Sequence, residues 1–288
     1  MPHRPIVKPT GLVHGHAECR CLDETVLVLT RILALQVIDR RGGQATLKHP
    51  NTAWKLILHE GGPDAPDKPE RYHYGVRVSN NREVDNAYQY LIARKEELGL
   101  KKVVKRRERD GSYSMFFVEP GGNYWEIESY ENRHKAGLPY PIAYPWKNEL
   151  VEADFPGRGY IPQALTHATI ECVDLEASVK FYQNALGLDV ITHVPTVRPH
   201  DIKHPSTPWY VVSLEVPEKN RKYLTPLQRH TVSVASAEAL ALARADLGDQ
   251  RVEFGIVEIG DVAEIEDGQS FLVADRDRNW WEIAWLRS

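Results

Sequence analysis

The chain is poor in sulfur, with three cysteines and two methionines in 288 residues. Three thiols cannot all pair, which excludes a small disulfide-stapled scaffold. Cys19, Cys21 and Cys172 sit in apolar, strand-like runs and read as reduced core residues. No apolar run is long enough to span a bilayer, and the opening "MPHRPIVKPTG" has no signal-peptide h-region. Clustered basic charge is scarce too. The net charge is −4, and the run "KKVVKRR" at Lys101 to Arg107 reads as a solvated face or hairpin. That argues against a nucleic-acid binder. The expectation is a cytoplasmic globular protein with no nucleic-acid and no membrane partner.

What is present is a repeat. "HAECRCLDETVLVLTRILALQV" from His16 and "HATIECVDLEASVKFYQNALGLDV" from His167 both begin His-Ala, alternate, reach an Asp and change to helical spacing. Period two followed by period 3.6 means a strand feeding a helix. Asp23 and Asp174 suit helix starts, and Gly187 suits a helix stop. Further strands follow at Ala53–Glu60 and Trp209–Val216. New strand-helix pairs begin at His73 and His230, and each half closes on a turn and a Glu-bearing strand. Four strand-helix-strands units result, two per half, an α+β arrangement. The stretch 131–163 is proline-rich and lacks periodicity, so it reads as a linker.

Two phrases sharpen the question of function. "EPGGNYWEIES" places Glu126, and "DRDRNWWEIAW" places Glu282, as a carboxylate among aromatic and branched apolar residues. A buried carboxylate needs a partner. In the second half His167, His230 and Glu282 recur with gaps of 63 and 52 residues. In the first half His16, His73 and Glu126 have gaps of 57 and 53. Alternation places His167 with Thr169 and Glu171 on one face of its strand, away from Ala168, Ile170 and Cys172. Two imidazoles and a carboxylate converging in a cavity would form a facial set with open positions, the arrangement that suits non-haem Fe(II), with Mn(II) also accepted.

The unit resembles the βαβββ module of the vicinal oxygen chelate superfamily, and the "DRDRNWWEI" turn resembles that superfamily's closing motif. Four modules in this length resemble the two-domain type I extradiol ring-cleavage dioxygenases. That resemblance implies two open-barrel domains: residues 11–130, the linker 131–163, and a metal-binding domain at 164–288. It implies metal ligands at His167, His230 and Glu282, a cleavage of a dihydroxylated aromatic ring by O₂, and a homo-oligomer. Acid-base candidates are His200, His204 and Tyr210. Leu272 stands where the family's signature has a Tyr, and Trp209 or Tyr210 where it has a catalytic His. Trp209 and Trp280 would suit a flat apolar substrate, and Tyr223 and Arg229 would reach the pocket rim. His16, His73 and Glu126 read either as a second metal site or, the favoured reading, as a metal-free counterpart with inward Arg77 satisfying Glu126. The same scaffold also serves glyoxalase-like isomerases and lyases and non-catalytic small-molecule binders. A metal triad favours the dioxygenase.

Overall fold

The structure is a computed structural model that describes residues 4–109, 111–135, 150–194 and 197–287. Each module is a strand, a helix and a run of antiparallel strands. The first has β1 (Gly11–Cys19), α1 (Leu22–Leu33), β2 (Gln36–Arg41), β3 (Gln44–Lys48) and β4 (Lys55–Glu60). The second has β5 (His73–Arg77), α2 (Asn81–Ala93), β6 (Lys102–Arg109), β7 (Ser112–Val118) and β8 (Tyr124–Ser129), followed by the short α3 (Glu131–Lys135). The third has β9 (Ala164–Cys172), α4 (Leu175–Lys180), β10 (Asp189–Val194), β11 (Val197–Lys203) and β12 (Tyr210–Glu215). The fourth has β13 (Arg229–Ser233), α5 (Ala237–Asp249), β14 (Glu258–Ile259), β15 (Ala263–Ile265), β16 (Gly268–Ala274) and β17 (Trp280–Leu286).

The strands form two open sheets. One runs β14-β16-β17-β13-β1-β4-β3-β2, with β15 on β16, and the other runs β10-β11-β12-β9-β5-β8-β7-β6. The four βαβββ modules are therefore as the sequence foretells, and the fold is α+β. The basic run Lys101–Arg107 lies mostly in β6, which pairs with β7 as a hairpin. No helix among the described residues is long and apolar enough to cross a membrane.

By contacts the chain divides into unit 1, residues 1–16 with 169–288, and unit 2, residues 17–168. These bounds differ from 11–130 and 164–288. The start of β1 is paired to β13, and the start of β9 is paired to β5. The supposed linker 131–163 falls partly outside the described residues, at 136–149. Its remainder is not a free tether. Tyr160 is fully buried and donates to the Ile32 carbonyl at 3.1 Å, and buried Gln163 exchanges hydrogen bonds with the backbone of Leu150.

Period-two alternation sets each strand's faces. In unit 2, Tyr74 and Val76 of β5 and Trp125 and Ile127 of β8 are buried in the core with Val84, Ala87 and Leu91 of α2. In unit 1, Val232, Trp281 and Ile283 are buried, as are Leu240, Ala243 and Leu247 of α5. Each such valine, leucine or isoleucine contributes roughly 1.5–3 kcal/mol on burial. The opposite faces of β5, β8, β13 and β17 carry the polar residues.

Helix entry shows where the two halves correspond. Asp174 is the N-cap of α4 and accepts from the Ala177 N–H, as its sequence position foretells. In the first module the N-cap is Cys21, and Asp23 lies inside the first turn. Gly187 adopts φ 69° just past the helical segment, which glycine does without strain. The strands "GLVHGHAEC" and "ALTHATIEC" are each nine residues long and each ends two residues before its N-cap. The counterpart of His167 is therefore His14, not His16.

Candidate metal centre

Among the described residues one set of three potential ligands converges: His73, Glu126 and His167, all buried, with ligand atoms within 4.8 Å of one another. All three belong to unit 2. β5 and β8 are parallel neighbours, with His73 beside Tyr124 and Gly75 beside Glu126. β9 lies antiparallel on the other side of β5, with His167 beside Gly75. His167, Gly75 and Glu126 thus form one row across three strands, and His73 projects from the same face two residues along β5.

The distances suit one ion. His167 Nε2 and Glu126 Oε2 are 3.1 Å apart, His73 Nε2 and Glu126 Oε2 3.2 Å, and the two Nε2 atoms 3.4 Å. Ligand atoms each about 2.0–2.2 Å from a common cation would lie about 3.0–3.5 Å apart. The donor set fits a divalent metal that accepts imidazole and carboxylate, and three ligands on one side leave positions for a substrate.

The outer nitrogens are held as ligating histidines require. His73 Nδ1 donates to the Glu70 carbonyl at 2.7 Å. His167 Nδ1 lies 3.2 Å from Thr166 Oγ1 and 3.4 Å from Glu128 Oε1. The Thr166 hydroxyl donates to the Gly75 carbonyl, so its oxygen is left to accept from His167. Both imidazoles therefore turn Nε2 toward the centre. Burial raises the Glu126 pKa, but the bonds from His167 and His73 outweigh it and hold the carboxyl far below its usual range. For His167 burial lowers the pKa, and Glu128 and Glu126 reverse this and raise it to about 9. Phe116 stands edge-on to the His73 ring, 5.1 Å between centroids.

Arg77 does not neutralise Glu126, contrary to expectation. Its Nη2 donates to Glu128 at 2.7 Å, and its guanidinium lies 4.0 Å over the Tyr130 ring. The carboxylate beside the triad is thereby occupied, while Glu126 is left to the imidazoles.

The expected set of His167, His230 and Glu282 is not brought together. His167 joins His73 and Glu126 in unit 2, whereas His230 and Glu282 belong to unit 1. Within unit 1 the two lie on opposite faces. β13 and β17 pair Arg229 with Trp280, His230 with Trp281 and Thr231 with Glu282. His230 therefore points into the core, 4% exposed, its ring centroid 5.6 Å from that of Trp281. Its counterpart in unit 2 is Tyr74, which packs on Trp125 at 5.6 Å in the same way. The counterpart of His73 is Arg229.

Glu282 answers to residues the sequence reading set aside. Arg229 Nε is 3.4 Å from Oε2, His16 Nε2 is 3.3 Å from it, and Thr231 Oγ1 donates to it at 2.7 Å. Ser270 donates to Oε1 at 3.0 Å. Burial raises the Glu282 pKa, yet His16, Arg229 and Thr231 bring it well below the usual range. The guanidinium stands here as the cation.

The acid-base candidates belong to unit 1, and the three residues of the triad to unit 2. His204 has its ring nitrogens on Ser206 Oγ at 2.6 Å and the Pro9 carbonyl at 3.2 Å, a loop-fixing role. His200 is mid-strand in β11 beside Ser213 of β12, and Tyr210 is 2% exposed at the start of β12. Trp209 donates to the Leu12 carbonyl from the same unit.

Two carboxylates that sequence reading passed over fix the closing strands. Buried Glu119 accepts from the Gly121 and Asn123 backbone N–H groups, from Asn123 Nδ2 and from Thr25. Asp275 accepts from the N–H groups of Asp277 and Asn279, each at 2.9 Å. Each holds the tight turn that delivers Glu126 or Glu282. The Glu/Asp-x-x-x-Asn spacing common to both closing phrases is the signal that marks them.

The family model of the Glyoxalase/Bleomycin resistance protein/Dioxygenase superfamily matches residues 164–283 of the chain. In fold the whole chain is similar to glyoxalase I from Zea mays, with TM-score 0.60 at 16% identity over 96% of this chain and 92% of that one. It is similar as well to a Bacillus subtilis protein provisionally described as a dioxygenase, with TM-score 0.62 at 13% identity over 98% of this chain and 87% of that one. No curated protein matches in sequence.

The buried His230 makes one consequence measurable. Burial holds its pKa down at about 3. A depressed folded-state pKa gives stability that is full above the unfolded value of about 6.5 and is lost as pH falls toward 3. Between pH 7 and 5 the native protein should lose about 2 kcal/mol more unfolding free energy than His230→Phe. Urea unfolding at both pH values checks this; equal losses in the two proteins would place the acid sensitivity elsewhere.

Proposed function

We propose that the protein is a divalent-metal enzyme that binds its substrate through adjacent oxygens at the His73–Glu126–His167 centre. The finer reading is an Fe(II)-dependent dioxygenase that opens a dihydroxylated aromatic ring with O₂. The observation that carries it is the ligand set: two imidazoles and one carboxylate on one side, the donors that suit non-haem iron with substrate and O₂ both bound. Bound there, the ion would lower the pKa of a coordinated hydroxyl and bring the two reactants together. The chain's own residues set the stage. Glu126 supplies the negative charge, and the Glu70 carbonyl with Thr166 and Glu128 holds the two imidazoles in the ligating tautomer. Phe116 gives the centre an apolar flank.

One observation favours a second reading, a metal-dependent isomerase or lyase of the glyoxalase kind. The triad takes its strands from the second and third modules, not from the third and fourth as the dioxygenase resemblance implies. Metal analysis of protein purified without oxygen, then oxygen uptake with a panel of catechols, separates the two. The dioxygenase reading expects iron, oxygen consumption and a yellow ring-fission product. Zinc, nickel or manganese with no oxygen uptake would overturn it in favour of the isomerase. Absence of any metal affinity would leave a small-molecule binder.

A further inference from the structure

The two units can be laid on each other by hydrogen-bond register. His14 pairs with Thr231 as His167 pairs with Gly75. Thr231 pairs with Glu282 as Gly75 pairs with Glu126, and Arg229 occupies the place of His73. The pairing of each opening strand also carries an irregularity at the same place, skipping Val13 in β1 and Thr166 in β9. Within that row unit 1 therefore keeps a histidine and a glutamate and differs at two positions; beside the row, His16 stands where β9 has Thr169, with Nε2 3.3 Å from Glu282 Oε2.

Each difference closes the site for a physical reason. In unit 2 the His167 ring lies directly over Gly75, so that a Cβ there would overlap it. Unit 1 has Thr231 instead, and its side chain fills that space. Its Oγ1 is 2.7 Å from Glu282 Oε2 and 2.8 Å from His16 Nε2. The second difference is one of charge. Arg229 lies 3.4 Å from Glu282 where an ion would need to be, and a fixed guanidinium repels a second cation.

We propose that the cleft of unit 1 is a metal site shut by Arg229 and Thr231, and that replacing these two alone converts it into a second divalent-cation site with His14 and Glu282 as ligands. The proposal rests on the metal reading of unit 2 only for its template. Mn(II) titration of the chelator-stripped full chain, followed by the EPR signal of free ion, tests it. The native protein should bind about one ion per chain, and Arg229→His with Thr231→Gly about two. Adding Glu282→Gln to that pair should return the count to about one. Thr231→Gly alone should stay at about one, because the guanidinium remains.

A folded double variant that gains no ion overturns the proposal. So does a native protein that loses an ion on Glu282→Gln, a comparison that holds even where the double variant does not fold. A native count of zero would sink the reading of unit 2 instead. In that case an ion gained by the double variant and lost with Glu282→Gln would still support the present inference.

Discussion

Glu126→Gln should empty the metal centre and reduce turnover to background. The substitution keeps size and hydrogen-bonding shape but removes the one negative charge among the three ligands. Glu128, the neighbouring carboxylate on that strand, does not replace it, because it is held by Arg77 at 2.7 Å. Loss of an outer-shell partner typically costs about 10–100-fold in metal affinity, and loss of the ligand itself should exceed about 100-fold. Glu282→Gln, the matching change in unit 1, should leave metal affinity unaltered, since Glu282 is paired with Arg229 and His16. Isothermal titration with a divalent ion distinguishes the two. Equal losses, or a loss only in the Glu282 variant, would move the centre to unit 1.

Gly75→Ala should be nearly as damaging although it removes no ligand. A methyl at 75 would meet Cε1, Nδ1 and Nε2 of His167. Gly75 has an ordinary backbone conformation, so the demand is for space rather than for a positive φ. The ring can yield only by leaving its row, which breaks its bonds to Glu126 and Thr166. Overpacking alone costs about 1–3 kcal/mol, and a displacement of about 1 Å is enough to weaken a catalytic centre strongly. The expected result is a lowered Tm together with metal affinity down by more than about 10-fold. An alanine variant that binds metal as the native protein does would show that the close approach is not required.

Much of the architecture is legible in the sequence because each module carries its own periodicity. "HATIEC" alternates, "DLEASVKFYQNAL" turns helical, and Asp174 and Gly187 mark the ends, all as the structure has them. The closing phrases placed Glu126 and Glu282 on strands, with Trp125 and Trp281 behind them in the cores. The residue types of the candidate triad, two histidines and a glutamate, were legible too. What was not legible was which histidine meets which glutamate.

Two physical facts account for that. The first is register: a slip of one residue turns every side chain to the other face. Aligning His230 with His73 makes that slip. The trace of it in the sequence is the gap to the glutamate, 53 residues from His73 to Glu126 but 52 from His230 to Glu282. Measured from Arg229 the gap is 53, and Arg229 is the residue that faces Glu282. The second fact is pairing. Nothing local in "ALTHATIEC" states that its start will hydrogen-bond to β5, yet this long-range pairing delivers His167 to His73 and Glu126. The acid-base candidates His200, His204 and Tyr210 followed from the assumed pairing of modules three and four, and the triad forms without them.

Anomalous diffraction from crystals grown with Mn(II) or Fe(II) tests the central claim most directly. One strong peak is expected about 2.0–2.2 Å from His73 Nε2, His167 Nε2 and a Glu126 carboxylate oxygen, and none beside Glu282. A peak between Glu282 and the histidines of unit 1, or no peak at the triad at saturating metal, would contradict it.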